Sequence, residues 1–98
     1  MVNEKYIGGF VLVKWVQAET KSFFSIAEFF IMKKYRRASL GKSVAKQIFR
    51  LHRGQWEVFQ MKKNEPAQLF WRTVINEYTD GQFTEWEEKT RITQAFLS

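Results

Sequence analysis

Two stretches dense in aromatic and branched residues open the chain, KYIGGFVLVKWV (residues 5–16) and SFFSIAEFFIM (residues 22–32), with the polar QAETK between them. Their composition predicts two strands joined by a hairpin turn, and the scarcity of polar residues predicts burial on both faces. From Gly41 the period changes. Val44, Ile48 and Leu51 recur at i, i+4 and i+7, and Ala45 and Phe49 widen the stripe, which predicts an amphipathic helix. Its other side carries Lys42, Lys46, Arg50 and Arg53. HRG closes that helix and QWEVFQM returns to a strand pattern, so residues 22–61 read as a β-α-β unit with a right-handed parallel crossover. The loop of the crossover lies at the C-terminal end of its first strand. After KKN, Pro66 suits the first turn of a helix, and Ala67, Phe70, Trp71, Val74, Ile75 and Tyr78 follow at helical spacing. TDGQ breaks this second helix, and FTEWEE and RITQAFLS can pair as a closing hairpin around Lys89 and Thr90. The order is β-β-α-β-α-β-β, a mixed α/β sheet in one domain spanning residues 1–98, without linker, repeat or low-complexity tract.

Composition narrows the chemistry. With 45% hydrophobic and 17% aromatic residues, 98 residues suffice for one small core. Cysteine is absent and His52 is the only histidine, so disulfides and thiolate metal sites are excluded. No apolar run approaches the ~20 residues of a membrane span, and MVNEKYIGG lacks the build of a signal peptide. The expectation is a soluble, cytoplasmic protein. The formal charge of +6 favours an anionic partner. Basic residues crowd positions 33–53, whereas Glu85, Glu87 and Glu88 gather near the end, so the charge is local.

The basic stretch YRRASLGKSVAKQIF (residues 35–49) admits three phosphate readings. GKS hints at a nucleotide-binding P-loop, but that motif needs a glycine where Arg36 stands. RRAS followed by Leu40 has the arrangement of a site for a basophilic kinase at Ser39. The third reading is structural: a strand end, a bend and a helix N-terminus leave backbone N–H groups from about Arg37 to Lys42 pointing outward, with the helix dipole reinforcing them. Such a cradle suits a pyrophosphate.

AEFFIMKKYRRASLGKSVAKQIF resembles the acetyl-CoA-binding motif of the GNAT superfamily of N-acetyltransferases, in which Gln or Arg, x, x, Gly, x, Gly or Ala follows a strand and opens a helix. Arg36 takes the first position and Gly41 the last, and Ser39 stands in place of the middle glycine. NEPAQLFW is similar to the family's later segment through Asn64, Ala67 and Trp71. The resemblance runs from about Tyr6 onward and is closest to bacterial members with an FWR helix, here Phe70, Trp71 and Arg72. It implies a GNAT-like mixed sheet and acetyl-CoA as acetyl donor. Phe30, Ile31 and Met32 would offer backbone groups to the pantetheine arm where the parallel strands part. Arg37, Ala38, Ser39, Leu40, Gly41 and Lys42 would cradle the pyrophosphate, with charge added by Arg36 and Lys42. Asn64 would reach the cofactor arm or cap the last helix, and Trp71 would border the cofactor.

Acetyl transfer by direct attack needs a deprotonated amine, a polarised thioester carbonyl and a stabilised or protonated thiolate. Glu28, in IAEFF, occupies a strand position where histone-type relatives place a general base, and is the catalytic candidate; a carboxylate paired with a lysine is the competing reading. Relatives often place a tyrosine acid at the position of Trp71, whose indole N–H is not acidic enough for that work. Trp15, Trp56 and Trp86 read as strand packing, His52 as a surface group near a helix end, and Tyr78 as core.

GNAT domains ordinarily begin with a strand, two helices and another strand, which residues 1–5 cannot supply, so the resemblance implies a form truncated at the N-terminus. An amine acceptor and acetyl-CoA are then the expected partners, without membrane or nucleic acid. An exposed first strand and a bare apolar sheet face would favour a homodimer. The alternative function is a small basic nucleic-acid-binding module, and a third class is an interaction domain modified at Ser39.

Overall fold

This computed structural model describes residues 2–6, 9–31 and 40–98, with the backbone alone for residues 2–6, 9–10, 30–31 and 40. Met32, Arg36, Arg37, Ala38 and Ser39 lie outside the described residues.

The strands are β1 (Val2–Tyr6), β2 (Gly9–Gln17), β3 (Ser22–Ile31), β4 (Gln55–Met61), β5 (Thr84–Glu87) and β6 (Arg91–Leu97); the helices are α1 (Leu40–Leu51), between β3 and β4, and α2 (Glu65–Thr79), between β4 and β5. From β2 onward the order is the expected one. The first expected strand is in fact two, because β1 folds back on β2 as an antiparallel pair, with Tyr6 opposite Gly9. The described strands form one mixed sheet in the order β1-β2-β3-β4-β6-β5. Its parallel contact is β3 against β4; the other neighbours are antiparallel.

Both helices lie on one face. The connections β3-α1-β4 and β4-α2-β5 advance in the same direction across the sheet, and right-handed crossovers then put both helices on the same side. Val44, Ala45, Ile48 and Phe49 of α1 and Trp71, Val74 and Ile75 of α2 pack on Val11 and Val13 of β2, Trp56 and Val58 of β4, and Phe96 of β6. Phe49 is the hub of this core. Its fully buried ring lies 4.9 Å from Trp56, 4.8 Å from Phe96 and 5.3 Å from Tyr78, within the range where edge-on and tilted aromatic pairs attract.

The expected burial of the early strands on two faces holds at Phe23 and Ser25 and not elsewhere on the face away from the helices. Val11, Val13, Phe24 and Ile26 face the helices, while Ala27 and Glu28 are exposed and Trp15 is half-exposed. The other face is nonetheless not bare apolar surface. The Lys21 ammonium bonds Glu57 at 2.6 Å and lies 5.5 Å over both Phe23 and Trp86, and the Arg91 guanidinium lies 4.1 Å over Phe59. Cations over rings shield this side, since long basic side chains cover apolar surface with their stems. β1 occupies the edge of β2 that the homodimer argument took as exposed, and the unpaired edge passes to β1.

Phe49→Ala should cost about 3–5 kcal/mol of unfolding free energy, the range for removing a buried aromatic ring. Urea denaturation checks this, and a loss below about 1 kcal/mol would show that the ring is not the centre of the core.

Candidate functional site: the gap between β3 and β4

β3 and β4 share one registered pair, Phe24 with Trp56, and beside it the Ser25 hydroxyl donates to the Glu57 carbonyl at 2.6 Å. Past that vertex, Ile26 and residues 28–31 of β3 pair only with β2, and residues 58–61 of β4 only with β6. Their facing edges carry backbone N–H and C=O groups that do not pair across the gap. A sheet edge of this kind can take an extended ligand as an added strand.

The parting has a local cause. Leu12 pairs with Glu28 and Val13 with Ile26, which leaves Ala27 as an extra residue in β3. A bulge of this type bends its strand and increases the local twist, and here it comes just beyond the vertex. It also flips the side-chain alternation. Phe29 returns to the helix face, 5.1 Å from Trp71 and 5.6 Å from Phe70, and Glu28 is left on the opposite face, opposite Leu12. The candidate base and Trp71 are therefore on different sides of the sheet. Glu28 makes no ion pair among the described residues, so the lysine-paired reading of it finds no support there.

The other candidates fall as follows. Phe30 and Ile31 end β3 along the gap. Leu40, Gly41 and Lys42 form the first turn of α1, which contains no acidic residue. A cation at a helix N-terminus is unfavourable unless an anion compensates it. Glu77 of α2 does so, bonding Lys42 at 3.3 Å and Lys46 at 2.8 Å, and these two bonds, that of Lys46 foremost, hold the Glu77 carboxyl below the usual range. Asn64 caps α2, its side chain accepting from the Ala67 N–H at 3.2 Å. Trp71 is a core residue that bridges β3 and α1 through Phe29 and Phe49.

Sequence reasoning missed a polar line that crosses from α2 into the sheet. Arg72 donates Nε and Nη2 to the two oxygens of Glu85 at 2.7 and 3.0 Å. Gln94 Nε2 donates to Glu85 Oε1 at 2.7 Å, and Gln60 Nε2 donates to Gln94 Oε1 at 2.6 Å. Gln60 Oε1 is buried and has no hydrogen-bond partner among the described residues. The signal was present in the strand alternation: Trp56, Val58 and Gln60, like Ile92, Gln94 and Phe96, share one face, and a glutamine breaks each apolar row. Gln68 likewise anchors α2, donating to the carbonyls of Met61 and Lys62 at 2.9 and 2.8 Å.

Elsewhere, an open concavity of about 480 Å³ on the outer side of α2 is lined by Arg72, Thr73, Asn76, Glu77, Phe83 and Glu85, whose charged groups already pair with one another or with α1. Among the described residues, no group of three His, Asp or Glu could hold a metal ion, and no helix is long and apolar enough to cross a membrane.

The gap suits a CoA-type ligand on two observations: unpaired strand edges for an amide-bearing arm, and a helix N-terminal turn free of acidic residues at the same end of the sheet. No protein-family profile and no curated protein sequence matches this chain. Among solved structures, a chain from the crystal structure of the NatC complex bound to Gag peptide and CoA superposes with a TM-score of 0.60 at 14% identity. The match covers 92% of this chain and 60% of that one. The fold is therefore GNAT-like, a mixed α/β sheet with both crossover helices on one face.

Hydrogen bonding to Arg72 is the main cause that holds Glu85 below the usual carboxylate range, against the opposing effect of burial, and it raises Arg72 in turn. The folded-state value lies below the unfolded one, so the pair's contribution is complete above about pH 4.3 and is lost as pH falls through the folded value. Arg72→Met should cost about 1 kcal/mol at pH 7, a modest figure because both groups are part-exposed, and the deficit should shrink below about pH 4. Denaturant titrations from pH 3 to 7 check this; a deficit that does not change with pH would contradict it.

Proposed function

We propose that the chain binds acetyl-CoA in the gap between β3 and β4 and transfers the acetyl group to an amine. The observation that carries this reading is the parting of the two parallel strands beyond Phe24 and Trp56, at the carboxyl end of β3, where ligands of open α/β sheets bind. The likeness to a chain of a complex bound to CoA supports it. In this reading the pantetheine arm lies extended along residues 29–31, and its pyrophosphate meets Leu40, Gly41 and Lys42 at the N-terminus of α1. Arg36, Arg37, Ala38, Ser39 and Met32 complete the site as the family resemblance implies.

Bound acetyl-CoA supplies an activated thioester. Attack by the amine nitrogen on its carbonyl carbon forms the amide as the C–S bond breaks, and the amine must lose a proton. Glu28 is the side chain we assign to that proton, from the exposed face of β3. Trp71, whose indole N–H is not acidic enough, does not serve as proton donor to the leaving thiolate.

The nucleic-acid alternative is weakened by how α1 uses its charge. Lys42 and Lys46 share the single negative charge of Glu77, which offsets one of their two charges, and the Arg50 guanidinium lies 5.9 Å over Tyr78.

Acetyl-CoA at a hundred times its dissociation constant should add about 2.7 kcal/mol and raise the melting temperature by several degrees. Gly41→Val should remove most of that shift by blocking backbone approach to phosphate. Glu28→Gln should lower kcat and leave acetyl-CoA affinity intact. An unchanged melting curve with millimolar acetyl-CoA would sink the cofactor reading; wild-type rates for Glu28→Gln at every pH would leave Glu28 a surface carboxylate.

A further inference from the structure

The line from Arg72 to Gln60 has a fixed sense. An ionised carboxylate only accepts, and Glu85 takes two donors from Arg72 and one from Gln94. Gln94 must therefore present Nε2 to Glu85, which leaves its Oε1 facing Gln60. Gln60 must present Nε2 in turn, as it does at 2.6 Å. Rotating the Gln60 amide would set oxygen against oxygen. With Nε2 spent on Gln94 of β6, Gln60 Oε1 is the end of the line. It is buried and, among the described residues, without a partner, in a residue 4% exposed. Such an oxygen is costly to strand, and native structures rarely leave one so.

Its place in the sheet gives the reason. Gln60 lies on β4 beyond the Phe24–Trp56 vertex, where the β3-facing edge of β4 is unpaired. We infer that Gln60 Oε1 is a binding group of the gap, accepting a hydrogen bond from a secondary-amide N–H of an extended ligand that lies between β3 and β4. The inference rests on the acetyl-CoA reading, in which the amide is one of those in the pantetheine arm. Arg72, Glu85 and Gln94 are then positioning residues that hold the acceptor in its orientation before the ligand arrives.

Calorimetric titration with acetyl-CoA and with adenosine 3′,5′-bisphosphate, which has phosphates but no arm, tests this. Gln60→Met should weaken acetyl-CoA about tenfold, the worth of one buried hydrogen bond, and leave the bisphosphate unchanged. Equal weakening of both ligands, or of neither, would overturn the inference, the first marking a purely structural glutamine and the second a buried water at Oε1. In wild-type protein labelled at glutamine Cδ, the Gln60 carbonyl resonance should move on saturation with acetyl-CoA and not with the bisphosphate; this readout decides the matter if the variant does not fold, and a stationary resonance overturns the inference. Wild type that binds no acetyl-CoA would overturn the cofactor reading first and this inference with it, whereas normal binding with an unaffected Gln60→Met variant overturns the inference alone.

Discussion

The single parallel pairing of Phe24 with Trp56, cut short by the bulge at Ala27, is the constraint from which the arrangement of this molecule follows. Antiparallel pairing holds β1, β2 and β3 as one half of the sheet and β4, β6 and β5 as the other. A continued β3–β4 ladder would close the sheet and leave no opening. With the ladder interrupted, the two halves are joined at a vertex and by the aromatic core beneath it, where Phe24, Trp56, Phe49 and Trp71 connect strands of both halves to both helices. The core therefore carries the load that sheet hydrogen bonds carry elsewhere.

Polar groups are arranged to the same end. On the helix face, Arg72, Glu85, Gln94 and Gln60 run as a directed line of donors and acceptors, and the line ends on an unpaired oxygen beside the gap. On the opposite face, Lys21 spans from Glu57 to the rings of Phe23 and Trp86, which keeps a nearly buried carboxylate paired. Such a carboxylate left alone would be strongly destabilising, so the QAETK turn contributes more than a chain reversal.

Much of the fold was legible because it rests on periodicity. The stripe Val44, Ala45, Ile48, Phe49 and the stripe Trp71, Val74, Ile75 are core faces of α1 and α2, and Asn64 and Pro66 mark the start of α2. The split of the first strand was missed, although Gly8 and Gly9 form a dipeptide of the kind that marks a chain reversal, because the apolar residues on both sides read as one continuous strand. The bulge was not legible, since Glu28 and Phe29 fit an alternating strand in either register and only the pairing with Leu12 shows which face each takes. Of the candidate site, the strand end at Phe30 and Ile31 and the helix start at Gly41 were readable as a motif. The Gln60 line showed in the sequence only as a glutamine in each of two apolar rows, because its members come from α2, β4, β5 and β6 and meet only through the antiparallel pairing of β6.

The central claim is that the gap between β3 and β4 receives an extended ligand, and amide hydrogen exchange along its two edges tests it most directly. In the presence of saturating acetyl-CoA, the gap-facing amides of residues 26–31 and 58–61 should exchange more slowly, in the alternating pattern of an added strand, while β1 and β5 stay unchanged. Bound acetyl-CoA with exchange along both edges unaltered would contradict the account.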